Sequence, residues 1–565
     1  MANLYANPIL KGFNPDPCLC RKGDDYYIAV SSFEWYPGIP IYHSKDMKNF
    51  ELYTHVLQDE SSVSLINLPP SKGIWAPCLT YDEKEDLFYV VYGIMNSMNA
   101  RYFDVDNYVI CARDIKGPWS KPVYLHSAGF DASILHDDNG KKYIVSLEWE
   151  TRDGYEKPGS ICLCEYDSQK QKIVGPVKRI YSGGTDRGCI EAPHLTKHNG
   201  YYYLMCAEGG TGYNHCVTMA RAKNVFGPYE GDPKNPIVTS QPAVSNERHD
   251  PDHLKPQYYN PDRIIQKSGH GSYVETALGE VYLAHLCSRT FITDDKDIRT
   301  KYRCTLGRET AFQKMHWTDD GWLRMTTDTN LAEDHFEGSA LPEVKYPQTE
   351  ALDDFDSNTL GINYYSPRIA PSEYADLSKR AGYLRIRGQE SLSSLHKVSF
   401  IARKLTSVEC TVTCKMDFSP KVYQHSAGLV IYYDHMDYIF LRKYYSQSLE
   451  GETIGIVRLK NGERFEYRDS RVKVEKGRPL FFRMKINGRK INFYWAYADC
   501  EYSPSIEFNQ IGRDFDSSEL SDEFCSYGEF TGTFVGMTCV DRLFHKETAD
   551  FDFFEYIADE KAPVS

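Results

Sequence analysis

The chain has 565 residues, which at ordinary domain sizes implies more than one domain and ample room for hydrophobic cores. Its 79 acidic against 65 basic residues leave a net charge of −14, the wrong sign for a protein whose main partner is nucleic acid. No run approaches ~20 apolar residues, which argues against a membrane-spanning helix; 43 tyrosines favour β-structure and a ligand that stacks on rings, such as a carbohydrate.

The first residues, Met1-Ala2-Asn3-Leu4-Tyr5-Ala6-Asn7-Pro8, lack the basic stretch and apolar core of a signal peptide, so a cytoplasmic protein is expected. Reduced thiols fit that setting, and several of the sixteen cysteines (Cys111, Cys162, Cys164, Cys206) lie in apolar strand-like runs where a thiol packs as a small hydrophobe. Cys18-Leu19-Cys20 and Cys162-Leu163-Cys164 lack the C-x-x-C spacing of a zinc knuckle, so no thiolate metal site is expected.

Short aromatic strands then recur in chain order: Tyr26–Val30, Phe88–Tyr92, Lys142–Val145, Tyr201–Met205 and Val281–Ala284. Most follow a turn signal such as Asp138-Asn139-Gly140 or Asn199-Gly200. Ahead of each lies a small Pro- or Ser-containing element, with anchors at Pro17, Pro77, Ser133, Pro193 and Ser272, spaced 60, 56, 60 and 79 residues. The last interval is lengthened by a polar, Pro-rich stretch from Gln241 to Asp262, which reads as an inserted loop. Five phased units, each a small antiparallel sheet, predict a five-bladed β-propeller over residues 1–330 rather than a meandering sandwich. Residues 331–350 read as a linker, and alternating strands such as 400–403, 427–433 and 481–486 predict an all-β sandwich domain over 351–565.

The innermost strand of a propeller blade begins near the axis. Aligning the units on their anchors puts Trp75, Asp131, Glu191 and His270 in one slot, with Asp16 one position off. Three carboxylates crowded into one funnel shift one another's pKa values, as general acid/base chemistry requires. Read singly, each has a plainer role: Asp16 as a turn residue, Asp131 as a cap, Glu191 as a solvated loop acid, His270 as a hydrogen-bonded structural histidine, Trp75 as core. The absence of Lys or Arg from the slot, against three acids, favours chemistry.

Further motifs include Gly12-Phe13-Asn14-Pro15-Asp16-Pro17, Ser32-Phe33-Glu34-Trp35-Tyr36-Pro37-Gly38, Gly73-Ile74-Trp75-Ala76-Pro77, Gly129-Phe130-Asp131-Ala132-Ser133, Glu191-Ala192-Pro193-His194, Ala207-Glu208-Gly209-Gly210-Thr211, Leu306-Gly307-Arg308-Glu309-Thr310 and Phe530-Thr531-Gly532. With these in order along nearly the whole chain, the sequence resembles glycoside hydrolase family 43, in its β-xylosidase-like branch with a C-terminal β-sandwich. The resemblance implies inversion by single displacement, with Asp16 as general base, Glu191 as general acid and Asp131 orienting Glu191 and keeping its pKa raised. It further implies that Phe33, Trp75, Phe130, His270 and Arg308 bind sugar, and that Phe530 enters from the sandwich to make a blind, exo-acting pocket. Cys78 replaces the Asp usual after Trp-Ala-Pro, Gly212 stands where many relatives carry a bulkier residue, and Asn96 to Asp106 matches poorly.

The expected activity is release of terminal β-D-xylose from xylo-oligosaccharides, with α-L-arabinofuranosidase or dual activity as the alternative. A non-catalytic sugar-binding propeller and a retaining transglycosidase are the rivals. No cofactor is expected. A divalent cation such as calcium on the axis near His270 has no dedicated carboxylate cluster to hold it. The expected partner is an oligosaccharide, with neither nucleic acid nor membrane, and the chain is expected to form a homo-oligomer.

Overall fold

A computed structural model describes residues 4–99, 102–152, 159–242, 254–327, 329–503, 505–526 and 530–564. Five antiparallel sheets of four or five strands follow one another in sequence as the blades of a propeller. Blade I comprises Cys18–Lys22, Asp25–Ala29, Gly38–Ser44 and Glu51–Leu57; blade II comprises Gly73–Asp82, Leu87–Asn99, Tyr102–Ala112 and Val123–His126. Blade III comprises Ser133–His136, Lys142–Trp149, Gly159–Asp167 and Lys172–Tyr181. Blade IV comprises Glu191–His198, Tyr201–Glu208, Cys216–Ala222 and Glu230–Gly231, with Val238–Thr239 added to its third strand. Blade V comprises Ile265–Glu275, Val281–Arg289, Glu309–Trp317 and Leu323–Met325. The recurrent aromatic runs are thus the second strand of every blade.

Apolar faces of adjacent blades pack against each other, as strands two-sidedly hydrophobic must. Ile41 and Leu79 share a cluster between blades I and II, Leu163 and Leu204 between III and IV, Val217 and Leu283 between IV and V, and Ile28 and Phe312 between V and I. The ring closes without a shared blade. Instead Leu4–Ala6 pairs with His335–Glu337, and Leu10 bridges Thr310. The segment read as a linker therefore also carries a strand that fastens the N-terminus. Of the inserted stretch 241–262, residues 243–253 lie outside the described residues; beyond them Leu254 is buried and Tyr259 stacks on Tyr302 at 4.1 Å.

The second domain is a sandwich of an eight- and a seven-stranded antiparallel sheet. Glu409–Asp417 and Thr548–Ala558 lie central in one, His425–Asp434 and Phe534–Asp541 in the other, with Leu429, Phe482, Met537 and Phe551 in the core between them. The two domains share a further core: Phe13, Phe33 and Trp35 of the propeller pack with Tyr365, Phe400 and Phe534. Trp35 stacks on Phe534 at 3.7 Å, and Trp35–Tyr36 pairs as a strand with Ser366–Pro367. A Cβ on Gly307 would stand 2.5 Å from the carbonyl of Thr531, so the chains meet here at a distance only glycine permits. Among the described residues no helix is long and apolar enough to cross a membrane.

Candidate active site

Each innermost strand enters the axis through one residue in the left-handed region: Asp16 (φ 56°), Ala76 (40°), Asp131 (56°), Ala192 (51°) and His270 (49°). Such geometry costs of order 1–3 kcal/mol per non-glycine residue, and its recurrence in every blade marks a built feature of the funnel. It also corrects the anchor alignment. By backbone, Asp16 shares its position with Asp131 and His270, while Trp75 and Glu191 stand one residue earlier, where the ladder register shifts after Trp75 and Glu191. All five side chains nonetheless reach the same funnel, as their contacts show.

Asp16 is half-buried and accepts a hydrogen bond at Oδ2 from Ser31 Oγ at 2.7 Å; the same hydroxyl accepts from the Ala76 amide at 2.7 Å, tying blades I and II together. His270 Nδ1 lies 3.5 Å from Asp16 Oδ1. Burial pushes the His270 imidazole down to about 4, so it faces the carboxylate as a neutral ring near neutral pH. Glu191 lies across the funnel, with its Oε1 4.0 Å from His215 Nε2. Burial, and then the charge of Asp16, raise Glu191 to about 8, with Arg308 opposing. Asp131 is buried and held well above the usual carboxylate range by burial, then by Glu191 and Asp16. Its Oδ2 accepts from the Ala192 amide at 3.1 Å, which fixes the backbone next to Glu191. Burial and Asp16 raise Glu191, Glu191 and Asp131 act on each other as neighbouring carboxyl groups, and Asp131 also fixes the backbone beside Glu191.

The aromatic residues form one continuous wall. Trp75 meets Phe33 at 6.0 Å, Phe130 at 5.7 Å and Phe530 at 6.2 Å, the last two edge to face. Its indole Nε1 donates to the Ser71 carbonyl, leaving the ring as the exposed surface. Phe530 comes from the sandwich and lies under the Arg308 guanidinium, 4.4 Å from its centre. Arg308 is 3% exposed, and its Nε and Nη2 have no hydrogen-bond acceptor among the described residues, although Asp522 Oδ2 stands 3.7 Å from Nε. Unpaired buried donors are costly, and a sugar hydroxyl is the kind of group that satisfies them.

Several residues at the site escape sequence reasoning. Ser31 and His215 carry no motif of their own; the signal for His215 is Gly269, whose absent Cβ would otherwise fall 2.3 Å from the His215 ring. Asp522 holds the sandwich side: its Oδ1 accepts from the Phe530 amide at 3.1 Å and from the Tyr433 hydroxyl. Lys267, fully buried, pairs with Glu523 Oε1 at 2.6 Å and approaches Asp522 at 3.8 Å. The poorly matching stretch from Asn96 to Asp106 proves to be the tip of a long hairpin in blade II, whose residues 100 and 101 lie outside those described. It lays Phe103 on Trp149 at 4.1 Å and against Phe130 at 5.6 Å, extending the aromatic wall outward.

Comparison with known proteins agrees with this architecture. Residues 5–323 match the family model for glycosyl hydrolases family 43, and residues 352–557 match the β-xylosidase C-terminal concanavalin A-like domain. A β-xylosidase of Bacillus subtilis (strain 168) is 38% identical over 97% of this chain and 99% of its own. Xylosidase/arabinosidase 43B of Humicola insolens is 36% identical over 97% of each chain. The crystal structure of xylan β-1,4-xylosidase from Bacillus halodurans C-125 superposes with a TM-score of 0.89 at 41% identity, covering 98% of this chain and 99% of that one. The chain belongs to glycoside hydrolase family 43, as a five-bladed propeller enzyme whose axial funnel is walled on one side by its own β-sandwich domain.

Proposed function

We propose that the chain is an exo-acting, inverting β-D-xylosidase that removes single xylose units from the non-reducing ends of xylo-oligosaccharides. The observation that carries this reading is the pairing, in one funnel, of a solvent-reachable, hydrogen-bonded carboxylate with a carboxyl held protonated. Asp16, fixed by Ser31, takes the proton of a water that attacks the anomeric carbon. Glu191, with a pKa of about 8, gives its proton to the departing glycosidic oxygen as the C1–O bond breaks. Water enters opposite the leaving group, so the product has the inverted configuration. Asp131 holds the strand that presents Glu191, and neutral His270 steadies Asp16 without cancelling its charge. No metal or cofactor is needed at the reacting atoms.

Trp75, Phe33 and Phe130 give the terminal sugar a stacking surface, and Arg308 offers its unpaired donors to the hydroxyls. Phe530 closes the side where a longer chain would otherwise continue, which supports exo rather than endo action. Xylose is named first because the Bacillus relatives carry that activity in their names. The Humicola relative, named for both sugars, supports α-L-arabinofuranosidase as a second activity of the same pocket. Hydrolysis of paired aryl β-D-xylopyranoside and α-L-arabinofuranoside, with xylotriose as a chain substrate, tests the proposal. The expected result is a higher kcat/KM on the xyloside, and xylose plus xylobiose as the first products from xylotriose. A folded enzyme preferring the arabinofuranoside would replace the substrate assignment, and failure on both would return the propeller to a binding role.

A further inference from the structure

One layer beneath the catalytic residues, the same five strands form a second ring. Two positions after each left-handed residue stand Cys18, Cys78, Ser133, His194 and Ser272. The two serines are committed to closing the ring: Ser133 Oγ donates to the Pro193 carbonyl at 2.5 Å, and Ser272 Oγ donates to the Pro17 carbonyl at 2.9 Å while accepting from the Leu19 amide. The remaining three side chains converge on the axis. Cys18 Sγ, Cys78 Sγ and a ring nitrogen of His194 all lie within 4.8 Å of one another, with both cysteines buried and His194 half-buried. It is the one grouping of three such donors among the described residues.

We propose that Cys18, Cys78 and His194 bind a thiophilic metal ion of the zinc class on the propeller axis, tying blades I, II and IV beneath the catalytic funnel. Tetrahedral zinc with these donors needs about 3.5–3.8 Å between ligand atoms. Cys78 Sγ and His194 Nδ1 stand 3.9 Å apart, a few tenths of an ångström from that spacing, and every pair among the three lies within 4.8 Å. Two sulfurs and an imidazole, with no carboxylate in the ring, select zinc, cadmium or cuprous ion over calcium or magnesium. Binding releases the thiol protons to solvent, and the sulfurs are not oxidised. Spacing along the chain gives no sign of the site because its ligands come one from each of three blades. The ion also has structural work to do in a ring whose ends share no blade, and it lies near the base: the His194 ring stands 6.3 Å from that of His270.

The test uses the full-length protein, reduced, freed of metal by chelation and desalted without oxygen, then titrated with Co²⁺ and afterwards with Zn²⁺. The expected result is a thiolate-to-cobalt charge-transfer band with tetrahedral d–d bands. Both saturate at a single equivalent and are bleached by Zn²⁺, with a rise in Tm on Zn²⁺ loading. Cys78→Ser and Cys18→Ser should each weaken Co²⁺ binding at least tenfold, and His194→Gln should weaken it while keeping a thiolate band. Cys500→Ser, which alters an exposed thiol, should change nothing. The proposal is overturned if the folded wild-type chain shows no charge-transfer band. It is equally overturned if the band survives in both Cys18 and Cys78 variants or vanishes in Cys500→Ser. The wild-type spectrum and the two cysteine variants are independent readouts, so if one variant misfolds the others still decide the matter.

Discussion

On the floor of the funnel, five blades each present one strand in nearly the same way, whereas the wall facing the sandwich has no repeat at all. The floor is polar, and its key residues occupy equivalent left-handed or adjacent positions: Asp16, Asp131, Glu191 and His270. The wall is assembled from unrelated points of the chain. Lys267 and Arg308 come from blade V and its loops, while Asp522, Glu523 and Phe530 come from the sandwich. The floor's repetition creates a place where carboxylates must crowd, which is what tunes Glu191. The wall's irregularity breaks the five-fold pattern and gives the funnel one closed side. On the proposed function, the acid and the base lie in the repeated part, and the groups that limit substrate length lie in the unrepeated one.

This division can be broken first at Asp16. Asp16→Ala should lower kcat on xylo-oligosaccharides by about 10²–10⁴-fold, the range for losing a general base, with circular dichroism and Tm unchanged. A folded variant with activity within tenfold of wild type would remove Asp16 from the chemistry. Glu191→Gln should cost a similar factor on xylo-oligosaccharides but much less on aryl xylosides whose leaving groups need no proton. The same change sharpens the pH argument. The folded pKa of Glu191, about 8, lies above its unfolded value, so the native state holds a proton that the unfolded chain releases as pH rises from the ordinary carboxylate range. Stability from this group is therefore full at low pH and declines as pH rises toward and past 8. Activity should fall on the alkaline limb near the same value, and Glu191→Gln should raise Tm at pH 8 but not at pH 4; an equal Tm change at both would contradict the assigned cause.

On the wall, Lys267→Met would strand two buried carboxylates. Burial alone would raise Glu523, and Lys267 outweighs it to hold that carboxyl below its usual range. Loss of the cation should destabilise the protein by about 3–5 kcal/mol, read by denaturant unfolding, and raise KM by releasing Asp522 from its place beside Arg308. Phe530→Ala should have the smallest effect, an increase in KM of about tenfold, or about 1.4 kcal/mol, with kcat nearly kept. A large fall in kcat with unchanged KM would move Phe530 from the wall to the chemistry and blur the division.

The same contrast explains what can be read from the sequence. Five phased units predict the propeller, because blade repetition leaves period, turn signals and anchors in the chain; the sandwich follows from alternation alone. Asp16, Asp131, Glu191 and His270 are legible because the repeat multiplies one weak signal by five. Ser31 and His215 act through single contacts with Asp16 and Glu191 that no spacing encodes. Asp522 and Lys267 stand 255 residues apart and meet only because the Trp35–Phe534 core docks the domains. Phe103 reaches the aromatic wall through the length of a hairpin, which the alternating pattern of its strands does not reveal.

The most direct test of the account is proton NMR of the first-formed sugar during hydrolysis of an aryl β-D-xylopyranoside in deuterated buffer. A base and an acid acting on one water and one leaving group, as assigned to Asp16 and Glu191, predict that α-xylose appears first and mutarotates afterwards to the mixture. Initial appearance of β-xylose would mean a covalent double displacement, and would contradict the roles given to both residues.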